Sequence, residues 1–280
     1  MPLSFHTLLL SLEGGLLVFG HNYEGQLGLG HKKVQLQPAE VPWDGPQPVQ
    51  VDCGWRYSLV LDVEGGVWQA GLSLSSFTFQ RVLQLPCIVL VAAGESHCAA
   101  IDTEGGLWVW TSETDLSWAR SLPQRVDALP PITKVACGLQ VSRGRGRRRP
   151  LGVGQQLPRE LGLGHTNSAL QPTLVQVEGR SEGPLRCLAA LYLGVILIDS
   201  QGGVFSSGHN SDGDLGRSLG DDWKLQQIMN IPPMLAASCG AGHTISLDEN
   251  GDVWSWDAVK KGNWGWATLP ISPDPQWSRR

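Results

Sequence analysis

Apolar and polar residues alternate along this chain in short runs, and the runs come in pairs around glycine turns. Glu13-Gly14-Gly15 leads to Leu17-Val18-Phe19-Gly20, Glu64-Gly65-Gly66 to Val67-Trp68, and Glu104-Gly105-Gly106 to Leu107-Trp108-Val109-Trp110. Gln201-Gly202-Gly203 leads to Val204-Phe205, and Asn250-Gly251-Asp252 to Val253-Trp254-Ser255-Trp256. Upstream stands a Cys-Gly or Ala-Gly, two residues, a His or Tyr, then alternating apolar residues. Cys53-Gly54-Trp55-Arg56-Tyr57-Ser58-Leu59-Val60-Leu61, Ala93-Gly94-Glu95-Ser96-His97 and Cys239-Gly240-Ala241-Gly242-His243-Thr244-Ile245-Ser246-Leu247 are the examples. Period-2 runs flanking an acidic glycine turn predict β-hairpins. No segment sustains a helical period.

The turn glycines Gly14, Gly65, Gly105, Gly202 and Gly251 lie 51, 40, 97 and 49 residues apart, so one further cycle is hidden between residues 106 and 201. Each cycle holds a hairpin and further strands such as Ile132-Thr133-Lys134-Val135-Ala136. A period near 50 residues built of short strands predicts one antiparallel sheet per repeat. Packed radially, such sheets form an all-β β-propeller, which buries apolar faces between blades and shields strand edges. A single propeller domain over residues 1–280 is expected.

Composition narrows the picture. The 35 Gly and 18 Pro suit many turns, and 21 basic against 26 acidic residues (net −5) argue against general affinity for nucleic acid or an anionic membrane. Of the six Cys, Cys53, Cys137 and Cys239 precede a glycine at one repeat position, which suggests small buried thiols and no disulfide framework. Residues 1–15 hold an apolar run without a basic leader or a small-residue cleavage site, so they read as a strand. No run approaches the roughly 18 apolar residues of a membrane helix. The expected location is intracellular, cytoplasmic or nuclear.

The loop Gly20-His21-Asn22-Tyr23-Glu24-Gly25-Gln26-Leu27-Gly28-Leu29-Gly30 follows the first hairpin, and Gly208-His209-Asn210-Ser211-Asp212-Gly213-Asp214-Leu215-Gly216 repeats it with Asp for Gln. Together with the Cys-Gly-x-x-His and Trp-x-Trp stretches, these residues resemble the regulator of chromosome condensation repeat over nearly the whole chain. The resemblance implies a propeller of that type, seven-bladed in the family. About six repeats are recognisable here, so an incomplete or disrupted blade is expected. The second and third cycles depart from the pattern, running instead through Gly71–Pro86 and Thr111–Pro130, and the last ends in Gly262-Asn263-Trp264-Gly265-Trp266. The first cycle lacks its leading strand, because His6 already fills the His slot. Either the tail near Leu269–Ile271 completes that blade or the chain is part of a longer array, and the second is favoured.

The run Arg143-Gly144-Arg145-Gly146-Arg147-Arg148-Arg149-Pro150 falls where the hidden cycle calls for an apolar strand, and five arginines are not expected to form one. Permitted codons for Leu151–Arg159, read one nucleotide later, restore Trp-x-Trp-Gly-Ser-Asn-Ser-Arg-Gly directly before Glu160-Leu161-Gly162-Leu163-Gly164-His165. Residues 141–159 are therefore read as a disrupted repeat, translated out of frame between two compensating shifts. An eroded loop and a basic patch for nuclear import or RNA are the other readings. The coding DNA decides among them, and the fourth blade is expected to be locally disordered.

Little bond-making chemistry is visible. His6, His97 and His243 share one repeat slot, so a structural bond to nearby backbone is expected, and three blades cannot converge them on one ion. Asn210-x-Asp212-x-Asp214 lacks the glycine and the bidentate Glu of a calcium loop. Glu13, Glu64 and Glu104 are turn residues. The glycine loops lack the Gly-Lys-Ser/Thr ending of a phosphate cradle, and no nucleophile elbow is present. Trp68, Trp108, Trp110, Trp254 and Trp256 read as blade packing, while Trp43, Trp118, Trp223 and Trp277 lie outside the repeat slots and include candidate contact residues. No catalytic, cofactor or metal residue is assigned, and partner-binding residues are left unassigned. The expectation is a non-enzyme scaffold or adaptor that binds a protein partner through loops on one face. The alternatives are a guanine-nucleotide exchange factor for a small GTPase, like the founding family member acting on Ran, and a fragment of a larger regulator such as a ubiquitin ligase.

Overall fold

The computed structural model describes residues 6–71, 76–95, 97–111, 122–127, 129–137, 141–146, 150–154, 169–174, 183–190, 194–208, 215–217, 222–239, 243–257 and 267–269. Residues 111, 141–146, 150–154, 169–174, 222–223, 243, 257 and 267–269 are described by backbone alone. The chain divides into two compact units, residues 1–158 with 167–176, and 159–166 with 177–280.

The first unit opens with a three-stranded sheet, β1 (His6–Leu10), β2 (Leu16–Gly20) and β3 (Gln35–Glu40). A four-stranded sheet follows, made of β4 (Pro48–Cys53), β5 (Tyr57–Asp62), β6 (Val67–Gly71) and β7 (Gln80–Arg81). The next holds β8 (Ile88–Ala93), β9 (His97–Asp102), β10 (Leu107–Thr111) and β11 (Gln124–Arg125). The last of this unit holds β12 (Ile132–Cys137), β13 (Val141–Gly146), β14 (Pro150–Gly154) and β15 (Ala169–Leu174). The second unit has two four-stranded sheets. One is β16 (Cys187–Ala190), β17 (Gly194–Ile198), β18 (Val204–Gly208) and β19 (Asp222–Gln227). The other is β20 (Met234–Cys239), β21 (His243–Asp248), β22 (Val253–Asp257) and β23 (Ala267–Leu269). Every sheet runs antiparallel in chain order, one per repeat, as in a β-propeller of the regulator of chromosome condensation type.

The sheet pairing bears on two local expectations. Leu269 pairs with Val253, so β23 is the outer strand of its own sheet and does not complete the first. Arg143, Gly144, Arg145 and Gly146, where no strand was expected, pair within β13 between β12 and β14, Val135 opposite Gly144 and Gly144 opposite Leu151, while residues 147–149 and 155–159 of the disrupted segment lie outside the described residues. Ladder hydrogen bonds use the backbone, so the hairpin register closes whatever side chains it carries.

Apolar alternation explains the core. β5 and β9 are buried along their whole length, as strands sandwiched between neighbouring sheets must be. Tyr57, Leu59 and Leu61 face Ile88, Val91, Cys98, Ala100 and Trp110 of the following sheet. Val60, with Ala70 and Phe79, faces Leu8, Leu16, Val18 and Leu27 of the preceding one. A period of two thus lets a single strand feed two cores. In the second unit Ile196, Ile198 and Val204 meet Met234 and Trp256 in the same way.

The hairpin turns are held by an aspartate three residues before the turn glycine. Asp62 Oδ1 accepts from the Glu64 and Gly66 amides (2.9 and 2.7 Å), and its Oδ2 accepts from Trp68 Nε1 at 2.7 Å. Asp102 does the same with Glu104, Gly106 and Trp108, and Asp248 with Asn250, Asp252 and Trp254. Asp199 accepts from Gln201 and Gly203, with Phe205 in the tryptophan's place. Ser11 substitutes in the first sheet, accepting from Gly15 at 2.8 Å. Burial alone would raise the Asp102 carboxyl, but the Trp108 indole, the Gly106 and Glu104 amides and the nearby Arg125 charge hold it below the usual range.

Candidate functional site

In the first unit, the ends of the sheets opposite these aspartate turns carry the glycine-rich loop and the short turns β4–β5 and β8–β9. The loop of residues 20–30 is fixed from inside. Asn22 is fully buried, and its Nδ2 donates to the His31 and Lys33 carbonyls at 2.7 and 3.1 Å, while its Oδ1 accepts from the Leu27 amide at 2.9 Å. Leu27 plugs the core beneath it. The loop lies against the second sheet: Gly30 donates to the Phe77 carbonyl at 2.8 Å, and a Cβ on Gly28 would stand 2.4 Å from the Phe79 ring. Only glycine fits there, at φ +69° and with an aromatic ring in van der Waals contact. The loop is therefore a clasp between two sheets. Its free side presents Tyr23, edge-on to His21 at 5.3 Å, and Lys32 over the Phe77 ring at 5.0 Å.

Beside it, Arg56 stacks on Trp55 with its guanidinium carbon 4.2 Å from the ring centroid. Tyr57, in the slot that elsewhere holds His, fixes this turn to the next. Its hydroxyl reaches the His97 and Gly94 carbonyls at 2.7 and 3.1 Å, and donates its one proton between them. Half-buried Trp55 and Arg56, exposed Tyr23, and charges of both signs (Glu24, Lys32, Arg56) give this rim the chemistry of a protein-binding surface.

The remaining titratable groups are occupied in building the fold. Ser58 Oγ gives its proton to the Gln26 carbonyl at 2.7 Å, so His6 Nε2, 2.8 Å away, must donate to Ser58. The histidine thus bonds to a side chain of the next sheet. Burial lowers its pKa to about 4, against a raising backbone contact from Tyr57. Asp52 on β4 accepts from the Ala93 amide of β8 and from Cys53, both at 2.8 Å, while Gln50 pairs with both backbone groups of Val91. Burial raises Asp52 to about 6, the two amides opposing it. Burial also pushes the Cys53 thiol up to about 12 and raises Cys98 and Tyr57 well above their usual values, so none ionises near neutrality. None of the six cysteines forms a disulfide. Among the described residues, no three His, Cys, Asp or Glu side chains cluster as a metal would need. Asn210, Asp212, Asp214, Trp118 and Trp277 lie outside the described residues, and so do the side chains of Trp223 and His243. Trp43, expected as a contact candidate, is instead tucked against Trp68 and Phe79 at 5.2 and 5.7 Å, its indole donating to the Pro46 carbonyl. No helix in the described residues is long and apolar enough to cross a membrane.

Comparison with known proteins places these features. The regulator of chromosome condensation (RCC1) repeat matches residues 13–61 and 201–247. The chain is 26% identical over 272 residues to the human E3 ubiquitin-protein ligase HERC2, covering 86% of this chain and 6% of that protein. It is 24% identical over 278 residues to the ultraviolet-B receptor UVR8 of Arabidopsis thaliana, covering 93% of this chain and 52% of that protein. Among solved structures, yeast RCC1 (Prp20) bound to Kap60 superposes with a TM-score of 0.79 at 17% identity, over 91% of this chain and 68% of that one. Human WBSCR16 superposes with a TM-score of 0.76 at 21% identity, over 87% and 70%. A second Prp20 structure, from Saccharomyces cerevisiae, is described with binding properties to Gsp1p and histones. The chain thus spans only part of these curated relatives. The likeness to Prp20 also corrects the expectation of a non-enzyme. Nucleotide exchange makes and breaks no covalent bond, so a sequence without a nucleophile or a metal site gives no ground for excluding it.

Proposed function

Because the chain belongs to the RCC1-repeat family, we propose that its loop rim engages a small GTPase of the Ran type and promotes nucleotide exchange on it. The observation that carries this reading is the shared fold with Prp20 over 91% of the chain, Prp20 being described with binding to Gsp1p. Exchange proceeds by binding the nucleotide-free GTPase more tightly than the loaded one, which lowers the cost of nucleotide departure. It asks of the protein a rigid face and a few anchoring side chains. The clasped loop supplies the rigidity, and Tyr23 and the Trp55–Arg56 stack are suitable anchors, since aromatic and Arg residues dominate binding energy at interfaces.

The match to HERC2 along most of the chain favours a second reading, a propeller module within a longer ubiquitin ligase. A fluorescent-GDP release assay against a panel of small GTPases separates the two. The exchange reading expects release from a Ran-type GTPase to accelerate, and Arg56→Ala to reduce the acceleration about tenfold or more. No acceleration with any GTPase, from a folded protein, overturns it.

A further inference from the structure

The other rim of the first unit has a different character. Its hairpin turns (residues 11–15, 62–66 and 102–106) alternate with the linkers between sheets (residues 41–47, 82–87 and 126–131) in one continuous row. Val63 donates to the Gln47 carbonyl at 2.9 Å, and a Cβ on Gly14 would lie 3.0 Å from Gln47 Nε2. Thr103 donates to the Cys87 carbonyl at 3.2 Å, the Cys87 thiol reaches the Glu64 carbonyl at 3.5 Å, and Ile132 donates to Gly105 at 2.8 Å.

Large apolar side chains stand in solvent along this row, Leu12 (106% exposed), Leu83 (70%) and Val63 (62%), with Val89 (55%) and Val49 (50%) beside it at the starts of β8 and β4. Gln84 takes a left-handed backbone, φ 67°, between exposed Leu83 and Leu85, which packs on the core. Asn230 repeats that conformation after exposed Met229 in the second unit, so the outward residue is a property of the linker design. The charges carried by the turns and linkers themselves are acidic. Glu13, Asp44, Glu64, Glu104 and Asp127 are exposed, and the six segments contain no Lys, Arg or His. The cations belong to the strands: Arg81 on β7, Lys134 on β12, and Arg125 on β11, whose side chain reaches the third turn beside Glu104 and Asp127 and whose charge acts on Asp102. The loop rim, by contrast, mixes both signs.

We propose that this turn rim of the first unit docks a basic, amphipathic segment of a protein partner, distinct from whatever occupies the loop rim. Apolar residues of the segment lie on Leu12, Val63 and Leu83, and its Lys or Arg side chains face Glu13, Glu64 and Glu104. An exposed apolar row edged by one sign of charge is complementary to the opposite sign. A second copy offering the same rim would set acid against acid, and nucleic acid or an anionic bilayer would be repelled.

The test uses the full chain and two labelled synthetic peptides, one alternating lysine with leucine and one alternating glutamate with leucine, read by fluorescence anisotropy. The lysine peptide is expected to bind, more weakly as salt rises. The triple variant Glu13→Gln, Glu64→Gln, Glu104→Gln and the double variant Leu12→Ser, Leu83→Ser should each weaken it about tenfold or more. Glu24→Gln, on the loop rim, should leave it unchanged. These side chains are exposed and the turns are held by Ser11, Asp62 and Asp102, so an unaltered unfolding midpoint verifies that the variants fold. The proposal is overturned if the lysine peptide fails to bind, if the glutamate peptide binds equally, if the variants match the parent, or if sedimentation shows that Leu12 and Leu83 instead join two copies of the chain.

Discussion

At the scale of single residues, the buried ionisable groups set opposed pH responses. Asp52 is raised to about 6, so the folded state holds its proton more tightly than the unfolded chain does. Its contribution to stability is full at low pH and is lost as pH rises from about 4 to about 6. His6 is lowered to about 4, so its contribution is full above about 6.5 and is lost as pH falls towards 4. Each is worth at most about 3 kcal/mol, in nearly the same window and with opposite sign. Unfolding midpoints between pH 4 and 7 should therefore be nearly flat for the parent protein. Asp52→Ala, which copies Ala92 of the next sheet, should lose stability on acidification, and His6→Gln should gain it. Variants that track the parent would refute both assignments. Asp102 and Asp248, held below the usual range against their own burial, act only at lower pH.

At the scale of elements, the glycine-rich loop and the turn aspartates decide how sheets join. A Cβ at Gly28 collides with Phe79 and also forces a side chain into a left-handed backbone. Gly28→Ala should cost about 3 kcal/mol, read as a lowered denaturation midpoint, whereas Gly30→Ala, with only a Thr78 methyl 3.9 Å away, should cost less. Equal costs would mean that the loop is not clasped against the second sheet. The hairpins and the loop were legible because the apolar period and the glycines recur. The aspartates were harder to see. Glu13, Glu64 and Glu104 stand beside the glycines and draw the eye, yet they are exposed, and the turn is carried by the residue two before them. Asp-x-x-Gly, recurring at Asp62, Asp102, Asp199 and Asp248, was the available signal. Trp43 misled for the opposite reason: it falls outside the repeat slots, but its linker lays the ring against Trp68 and Phe79.

At the scale of the whole molecule, repetition disclosed the fold and concealed the function. Residues that recur, such as Asn22, Leu27 and Tyr57 in its histidine slot, are spent on holding sheets together. The side chains left for a partner on the loop rim, Tyr23 and Arg56, follow no repeat, and so no periodic pattern could have marked them. An exchange factor is defined by which state of its partner it prefers, a difference of free energies that leaves no catalytic motif. That difference is directly measurable. Immobilised protein titrated with a Ran-type GTPase, nucleotide-free and GDP-loaded, should bind the empty form about a hundredfold or more tightly. Equal affinity for the two forms would contradict the exchange reading.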